Sequence, residues 1–128
     1  MRTLHAFRYS HRDLKADNIL VSPQGSILGA RELREVPGAG DRLWLIDLVG
    51  LRRCAKLSRE RKMRDLARLH RSFRDDPSLS RPDRLRFLLL YLRQGLGDEV
   101  GWKGWWRRVD RIAGEKIARN RLRRRAVG

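Results

Sequence analysis

The sequence predicts a mainly α-helical chain with a small β-hairpin in its first half. Three observations carry that expectation. Two short apolar runs, Ile19-Leu20-Val21 and Leu43-Trp44-Leu45-Ile46-Asp47-Leu48, flank a stretch punctuated by glycine and proline, the pattern of paired strands around a turn or insertion. Beyond Leu48 the apolar spacing changes to the three-to-four-residue period of helices. Helix start and stop signals then bound three segments.

In chain order, residues 1–8 read as the end of an element and residues 9–18 as a loop. The first strand covers 19–22. Residues 23–41, with Gly25, Gly29, Pro37, Gly38 and Gly40, read as a hairpin tip or surface insertion. The second strand covers 43–48 and ends on a carboxylate. Ser58 can cap a helix over 58–74, with Met63, Leu66, Ala67, His70 and Phe73 on one stripe. Ser80-Arg81-Pro82-Asp83 starts a second helix over 81–94 bearing Leu85, Leu88, Leu89 and Leu92, closed by Gly95. Asp98 and Glu99 favour the positive end of a third, from about 99 to 123, whose stripe is Trp102, Trp105, Trp106, Val109, Ile112 and Ile117. No internal repeat is visible. The expected division is 1–98 as one unit and 99–128 as a basic, Trp-rich terminal helix.

At 128 residues and 41% hydrophobic content the chain can bury one core. Its formal net charge is +16, from 31 basic and 15 acidic residues, and the excess is uneven. Residues 1–50 hold 7 basic and 6 acidic side chains, residues 51–128 hold 24 and 9. The second part therefore suits an anionic partner: a headgroup surface, a phosphorylated glycolipid or nucleic acid. A solvated arginine-rich surface carries equal weight, since 26 of the basic residues are arginine. Nothing resembles a nucleic-acid recognition motif, so nucleic acid is the weaker partner class. With Cys54 the single cysteine, an intrachain disulfide is excluded and a reducing compartment expected. No secretory signal is present, and the longest apolar run, Phe87–Leu92, is too short to span a bilayer. A cytoplasmic protein, or one peripheral on the inner face of the cytoplasmic membrane, is expected.

The most specific stretch is His11-Arg12-Asp13-Leu14-Lys15-Ala16-Asp17-Asn18, running into Ile19-Leu20-Val21. Its H-R-D-L-x-x-x-N pattern suits phosphoryl transfer. A carboxylate must accept the proton of an attacking hydroxyl, and an amide oxygen a few residues on must reach a metal on the nucleotide phosphates. Asp13 is the candidate base and Asn18 the candidate metal ligand. Asp47, at the end of the next strand, completes the set around Mg²⁺, and Lys15 can set its ammonium against the transferring phosphate of ATP. Taken singly, Asp13 or Asn18 would read as a helix cap; the combined order of strand, loop, strand and acid is what favours chemistry. The fold implied is the C-terminal lobe of a protein-kinase-like fold. Because the loop begins at residue 11, the nucleotide-wrapping N-terminal lobe is expected to be absent, or carried on another chain. Gly38-Ala39-Gly40 lies after the loop, lacks a third glycine and reads as a turn.

The stretches HRDLKADNILV, LWLIDLVGLRR, LSRERKMRDLARLHRSF and RPDRLRFLLLYL resemble the bacterial lipopolysaccharide kinase family, the Kdo and heptose kinases of the lipid A-linked core, over residues 9 to about 93. The resemblance implies a phosphotransferase using ATP and Mg²⁺ on a sugar or glycolipid acceptor. Carried over by position, Asp13 is its catalytic base, Asn18 and Asp47 its Mg²⁺ ligands, and His11 and Arg12 supports of the loop. The last 35 residues lie outside it. The sequence departs from protein kinases in having Ile46-Asp47-Leu48 where those have D-F-G. Only ten residues separate Asp47 from Ser58, and no A-P-E element follows. A segment able to dock a protein substrate is therefore not expected, which favours a small or lipid-linked acceptor.

Other candidates are weaker. His5, His11 and His70 show no metal-ligand spacing, and His70 reads as a packed histidine. Cys54 lies among Arg52, Arg53 and Lys56 without an identifiable base partner. Trp102, Trp105 and Trp106 form either a core stripe with a basic outer face or a helix lying at a lipid headgroup surface. The rival readings of the whole chain are a basic nucleic-acid-binding module resting on the tail from Arg119 to Arg125, and an inactive kinase remnant.

Overall fold

The computed structural model describes residues 1–22, 42–93 and 101–127. The chain is mostly helical, with two small antiparallel ladders. A short helix α1 (Arg2–Ala6) leads to strand β1 (Tyr9–His11), the candidate loop, a 3₁₀ turn (Ala16–Asn18) and β2 (Ile19–Ser22). Next come β3 (Arg42–Leu45), a 3₁₀ turn (Leu48–Gly50), β4 (Leu51–Arg53), and the helices α2 (Arg59–Ser72), α3 (Arg81–Leu92) and α4 (Gly101–Val127).

The expected hairpin is the β2–β3 ladder, registered Ile19 to Leu45 and Ser22 to Arg42. Its second strand is shorter than the apolar run suggested. It stops at Leu45, and Asp47 turns into the left-handed region at φ 57°, which ends strand geometry and which aspartate tolerates better than most residues. A second ladder, β1 with β4, pairs Tyr9 to Arg53 and His11 to Leu51. Strands of three residues joined across some forty positions leave no periodic signal, and neither was expected. The insertion at 23–41, Gly25 to Gly40 included, lies outside the described residues, as do Gly95, Asp98 and Glu99.

Local chemistry explains the helix starts. Ser58 accepts a hydrogen bond from the Arg61 N–H, and Ser80 with Asp83 forms a reciprocal capping box with Pro82 in the first turn. The core is made by α2, α3 and α4: Met63, Leu66 and Ala67 meet Leu88, Tyr91, Trp105, Val109 and Ala113. The buried face of α3 is thus Leu88 and Tyr91, while Leu89 stays exposed; the leucine count drew the stripe too far round the helix. On α4, Trp105 is 1% exposed whereas Trp102 is 41% exposed. The core reading of the tryptophans therefore holds at Trp105, and a headgroup-level helix built on all three does not. From Ala118 to Ala126 every residue of α4 is exposed.

Candidate active site

The chain crosses between the two ladders twice. It passes from β1 to β2 through residues 12–18, and returns from β3 to β4 through residues 46–50. Asp13 lies on the first crossing and Asp47 on the second. Three hydrogen bonds tie the crossings together. The Arg12 N–H donates to the Gly50 carbonyl at 2.9 Å, the Ile46 N–H to the Asn18 carbonyl at 2.9 Å, and His11 Nε2 to the Asp47 carbonyl at 2.9 Å. His11 Nδ1 accepts from the Asp13 N–H at 3.1 Å, which fixes the Nε2–H tautomer. His11, 1% exposed, therefore sets the position of both candidate carboxylates through their backbones. Arg12 acts through its backbone, its side chain being exposed.

Glycine at position 50 is a requirement of this arrangement. A Cβ there would lie 3.1 Å from His11 Cε1, 3.2 Å from His11 Nδ1 and 3.3 Å from the Arg12 nitrogen. The imidazole is fixed at both nitrogens and has little freedom to give way.

The exposed side of the loop carries the charges. Lys15 Nζ lies 3.1 Å from Asp13 Oδ2, with both side chains about half exposed. The hydrogen bond from Lys15 holds the Asp13 carboxyl below the usual aspartate range, with the Asn18 amide assisting. Asp13 raises the Lys15 ammonium in turn, and Asp17 and Asp47 add smaller pulls in the same direction. Lys15 thus feels Asp13 and Asp47 together. Asn18 is buried, and its Nδ2 donates to the Asp13 carbonyl at 2.8 Å, so its Oδ1 is the atom left to accept or to ligate. The four residues Asp13, Lys15, Asn18 and Asp47 accordingly belong to one cross-linked unit.

The inner side of the loop is held by residues to which the sequence reading gave no role. Asp65 on α2 is 1% exposed and receives three donors. Its Oδ2 accepts from the His11 N–H at 3.2 Å and from His5 Nε2 at 3.2 Å, and its Oδ1 accepts from Arg68 at 2.6 Å. His5 Nδ1 lies 2.6 Å from the Tyr91 hydroxyl. Burial, with the Asp65 charge second, pushes the Tyr91 phenol up, so the hydroxyl stays protonated and donates to His5. Seven residues along α2, Ser72 Oγ accepts from the Ala16 N–H at 3.0 Å. Positions seven apart share a helix face and stand about 10 Å apart along its axis. Asp65 and Ser72 therefore grip the two ends of the loop, and Leu14, between the gripped positions in sequence, is buried. Asp65, Arg68 and Ser72 fall in the stretch LSRERKMRDLARLHRSF that carries the family resemblance, and Tyr91 in RPDRLRFLLLYL, but neither stretch says what these side chains hold. His5 lies outside those stretches.

Among the described residues no group of three or more His, Cys, Asp or Glu side chains could hold a metal ion. The donors expected from the sequence are one amide oxygen, of Asn18, and one carboxylate, of Asp47, which lie on the two cross-linked crossings. Such a small, hard-oxygen set suits Mg²⁺, which takes one or two protein ligands and fills its shell with phosphate oxygens and water. Cys54 accepts from Arg61 at 3.0 Å. No helix among the described residues is long and apolar enough to cross a membrane.

Residues 1–91 match the family model described as "Lipopolysaccharide kinase (Kdo/WaaP) family". No curated protein and no solved structure matches the chain. The matched segment takes in both crossings, α2 and nearly all of α3, and covers well over half of the chain. The chain belongs to the lipopolysaccharide kinase (Kdo/WaaP) family, and its general activity class is that of a kinase.

Proposed function

We propose that this chain transfers the terminal phosphate of ATP to a sugar hydroxyl of a lipopolysaccharide core acceptor, of the Kdo or heptose type, with Mg²⁺. The observation that supports this reading best is the pair of cross-linked crossings, which hold Asp13, Lys15, Asn18 and Asp47 in one unit. Asp13 orients the acceptor hydroxyl and takes its proton. Its depressed pKa keeps it ionised at neutral pH, and a weakly basic carboxylate suffices where the transition state is loose and the proton leaves late. Lys15 exchanges its Asp13 partner for the transferring phosphate, so the ion pair of the resting site both stores the ammonium and guards the base. Asn18 and Asp47 would hold the Mg²⁺, which when bound offsets the phosphate charge as it develops.

The acceptor is lipid-linked, and the exposed end of α4 carries Arg119, Arg121, Arg123, Arg124 and Arg125 beyond the packed core. Each arginine near an anionic bilayer contributes about 1 kcal/mol. This end therefore suits a peripheral site on an anionic membrane surface better than the Trp-bearing start of the helix, whose Trp105 belongs to the core. Co-sedimentation with anionic vesicles at low salt, released by high salt, is the expected behaviour.

The decisive assay supplies labelled ATP, Mg²⁺ and a Kdo- or heptose-bearing lipid A acceptor. Label is expected on the sugar, and is expected to vanish in Asp13→Asn and in Asp47→Asn. Transfer that persists in both variants would overturn the assignment of these residues, and transfer to no sugar acceptor would overturn the reaction.

A further inference from the structure

Beyond the catalytic unit, the C-terminal end of α2, the start of α3 and the middle of α4 enclose a polar cavity of about 340 Å³. Arg74, Arg81 and Arg84 line it together with His70 and Trp106, and two acids, Asp75 and Asp110, also border it. Three guanidiniums against two carboxylates leave the lining net positive, and one of the acids is already engaged: Asp110 Oδ1 lies 3.2 Å from His70 Nε2.

The three arginines are held in different ways, each leaving donors free to point elsewhere. Arg84 spends Nη1 on the Arg74 carbonyl at 3.2 Å. Its Nε is buried and has no hydrogen-bond partner among the described residues. Arg81 stacks its guanidinium over the Trp106 ring at 5.9 Å, a contact that fixes the plane while leaving the N–H edge open. Arg74 Nη1 passes beside Gly114 of α4, where an added Cβ would stand 3.7 Å away. His70 is edge-on to Trp106 at 5.5 Å. Convergent arginines with open forks are the usual chemistry for a phosphate group, which offers several acceptor oxygens and a double charge.

We propose that Arg74, Arg81, Arg84 and His70 form a binding site for a phosphate monoester, separate from the catalytic loop. The neighbouring apolar cavity, about 470 Å³, shares His70, Arg84 and Trp106 with this site and also borders Ala16 and Ile19 beside the loop. A phosphate bound here is therefore connected by an apolar path to the place where the transfer is proposed to occur. The binding site itself stands without the kinase reading; its use as a second anchor for a phosphorylated acceptor rests on that reading.

The test is a binding titration of the full chain with two probes, inorganic phosphate and a short-chain phosphatidic acid kept below its micelle concentration. His70 is the reporter. Burial lowers its pKa, Asp110 pulls it up, and Arg84 and Arg74 add smaller downward pushes; an anion beside those arginines moves it upward. Arg81→Gln and Arg84→Gln are each expected to weaken binding about tenfold, the loss of one charge-assisted pair. Arg86→Gln, on the same helix but outside the cavity, controls for the general positive charge and is expected to change little. Equal affinity for the two probes assigns the site to the phosphate alone; at least tenfold tighter binding of the lipid, with signals shifting at Leu79 and Phe87, assigns it to a lipid phosphate whose chain enters the apolar cavity. Either result supports the site. Binding that is absent for both probes, unchanged in both cavity variants, or lost equally in Arg86→Gln would overturn it. Asp13→Asn separates the two proposals: phosphate binding here is expected to survive that change whether or not transfer activity exists to be lost.

Discussion

Asp65 and Asp13 are the same residue type on opposite sides of one loop, and almost everything about them differs. Asp65 is 1% exposed and takes three donors, from His5, Arg68 and the His11 backbone. Asp13 has a half-exposed side chain whose ion-pair partner, Lys15, is equally open to water. The first carboxylate is held at both oxygens, and its removal would strand buried donors. The second is paired with an exposed lysine, and in the proposed reaction a substrate hydroxyl and a phosphate take the two places. Burial fixes one acid to the fold, and exposure leaves the other open to the role proposed for it.

Asp65→Ala breaks the comparison on its buried side and is the largest effect expected. It leaves His5, Arg68 and the His11 N–H without their acceptor. Removing one partner of a buried pair costs about 3–5 kcal/mol, a large part of the stability of a domain this size. A denaturant melt followed by circular dichroism should show the midpoint falling by that equivalent, with phosphotransfer falling alongside because the loop loses its inner grip. Asp13→Asn breaks the exposed side instead. It should lower transfer by about 10²- to 10⁴-fold, the usual contribution of a general base, while the melt moves by less than about 0.5 kcal/mol, as for surface changes. A variant pair in which both substitutions unfold the chain alike would erase the distinction.

What the sequence made legible follows the same division. The family was legible in the stretch His11–Asn18, because a motif for phosphoryl transfer ties residue types to fixed short spacings. The starts of α2 and α3 were equally plain, because Ser58 and Ser80 act on backbone N–H groups three residues away. The support of the loop was not. His5, Asp65 and Tyr91 are 60 and 86 positions apart in their contacts, and no local pattern joins them. The ladder of β1 with β4 escaped for the same reason, since its strands are held by pairing rather than by propensity. Asp65 also lies on the second buried face of α2, away from the stripe of Met63, Leu66 and Ala67, and a single apolar stripe cannot reveal a second face that is partly polar.

Gly50 offers a way to sharpen the contrast, because it acts on both carboxylates through one imidazole. Gly50→Ala places a methyl 3.1 Å from His11 Cε1. Overpacking against a side chain that cannot yield costs about 1–3 kcal/mol. The ring is expected to shift, and with it the hydrogen bonds to the Asp13 N–H and the Asp47 carbonyl. The signature is a modest loss in the melt accompanied by a loss of transfer larger than that destabilisation explains. Displaced His11 ring resonances in NMR would place the cause at the imidazole. An unshifted ring with full activity would show that the crossings are held by their backbone pairs alone.

The smallest effect concerns the ion pair itself. In the folded chain Lys15 lowers the Asp13 pKa, and Asp13 raises that of Lys15. For the acid, the sign is that of a depressed folded value: its contribution to stability is complete above the unfolded aspartate value of about 3.9 and is lost as the pH falls through the lower folded value. For the lysine the contribution is present below its unfolded value of about 10.4 and disappears as the pH rises through the higher folded one. Both groups are well exposed, so these contributions to stability are slight. The pKa values are the better observable. Lys15→Met should return the Asp13 carboxyl towards its ordinary value, moving its carbon resonance titration upward in pH while the melt at neutral pH hardly changes. With Asp13 as the proposed base, the acid limb of the activity profile should move upward with it. The same variant removes the ammonium from the transferring phosphate, so activity at neutral pH should fall as well, well above either limb. A Lys15→Met chain whose Asp13 titration rises but whose neutral-pH transfer is untouched would make Lys15 a guard of the base only. Loss of transfer with an unmoved Asp13 titration would make it a phosphate contact only. The arrangement at 3.1 Å predicts that both change together.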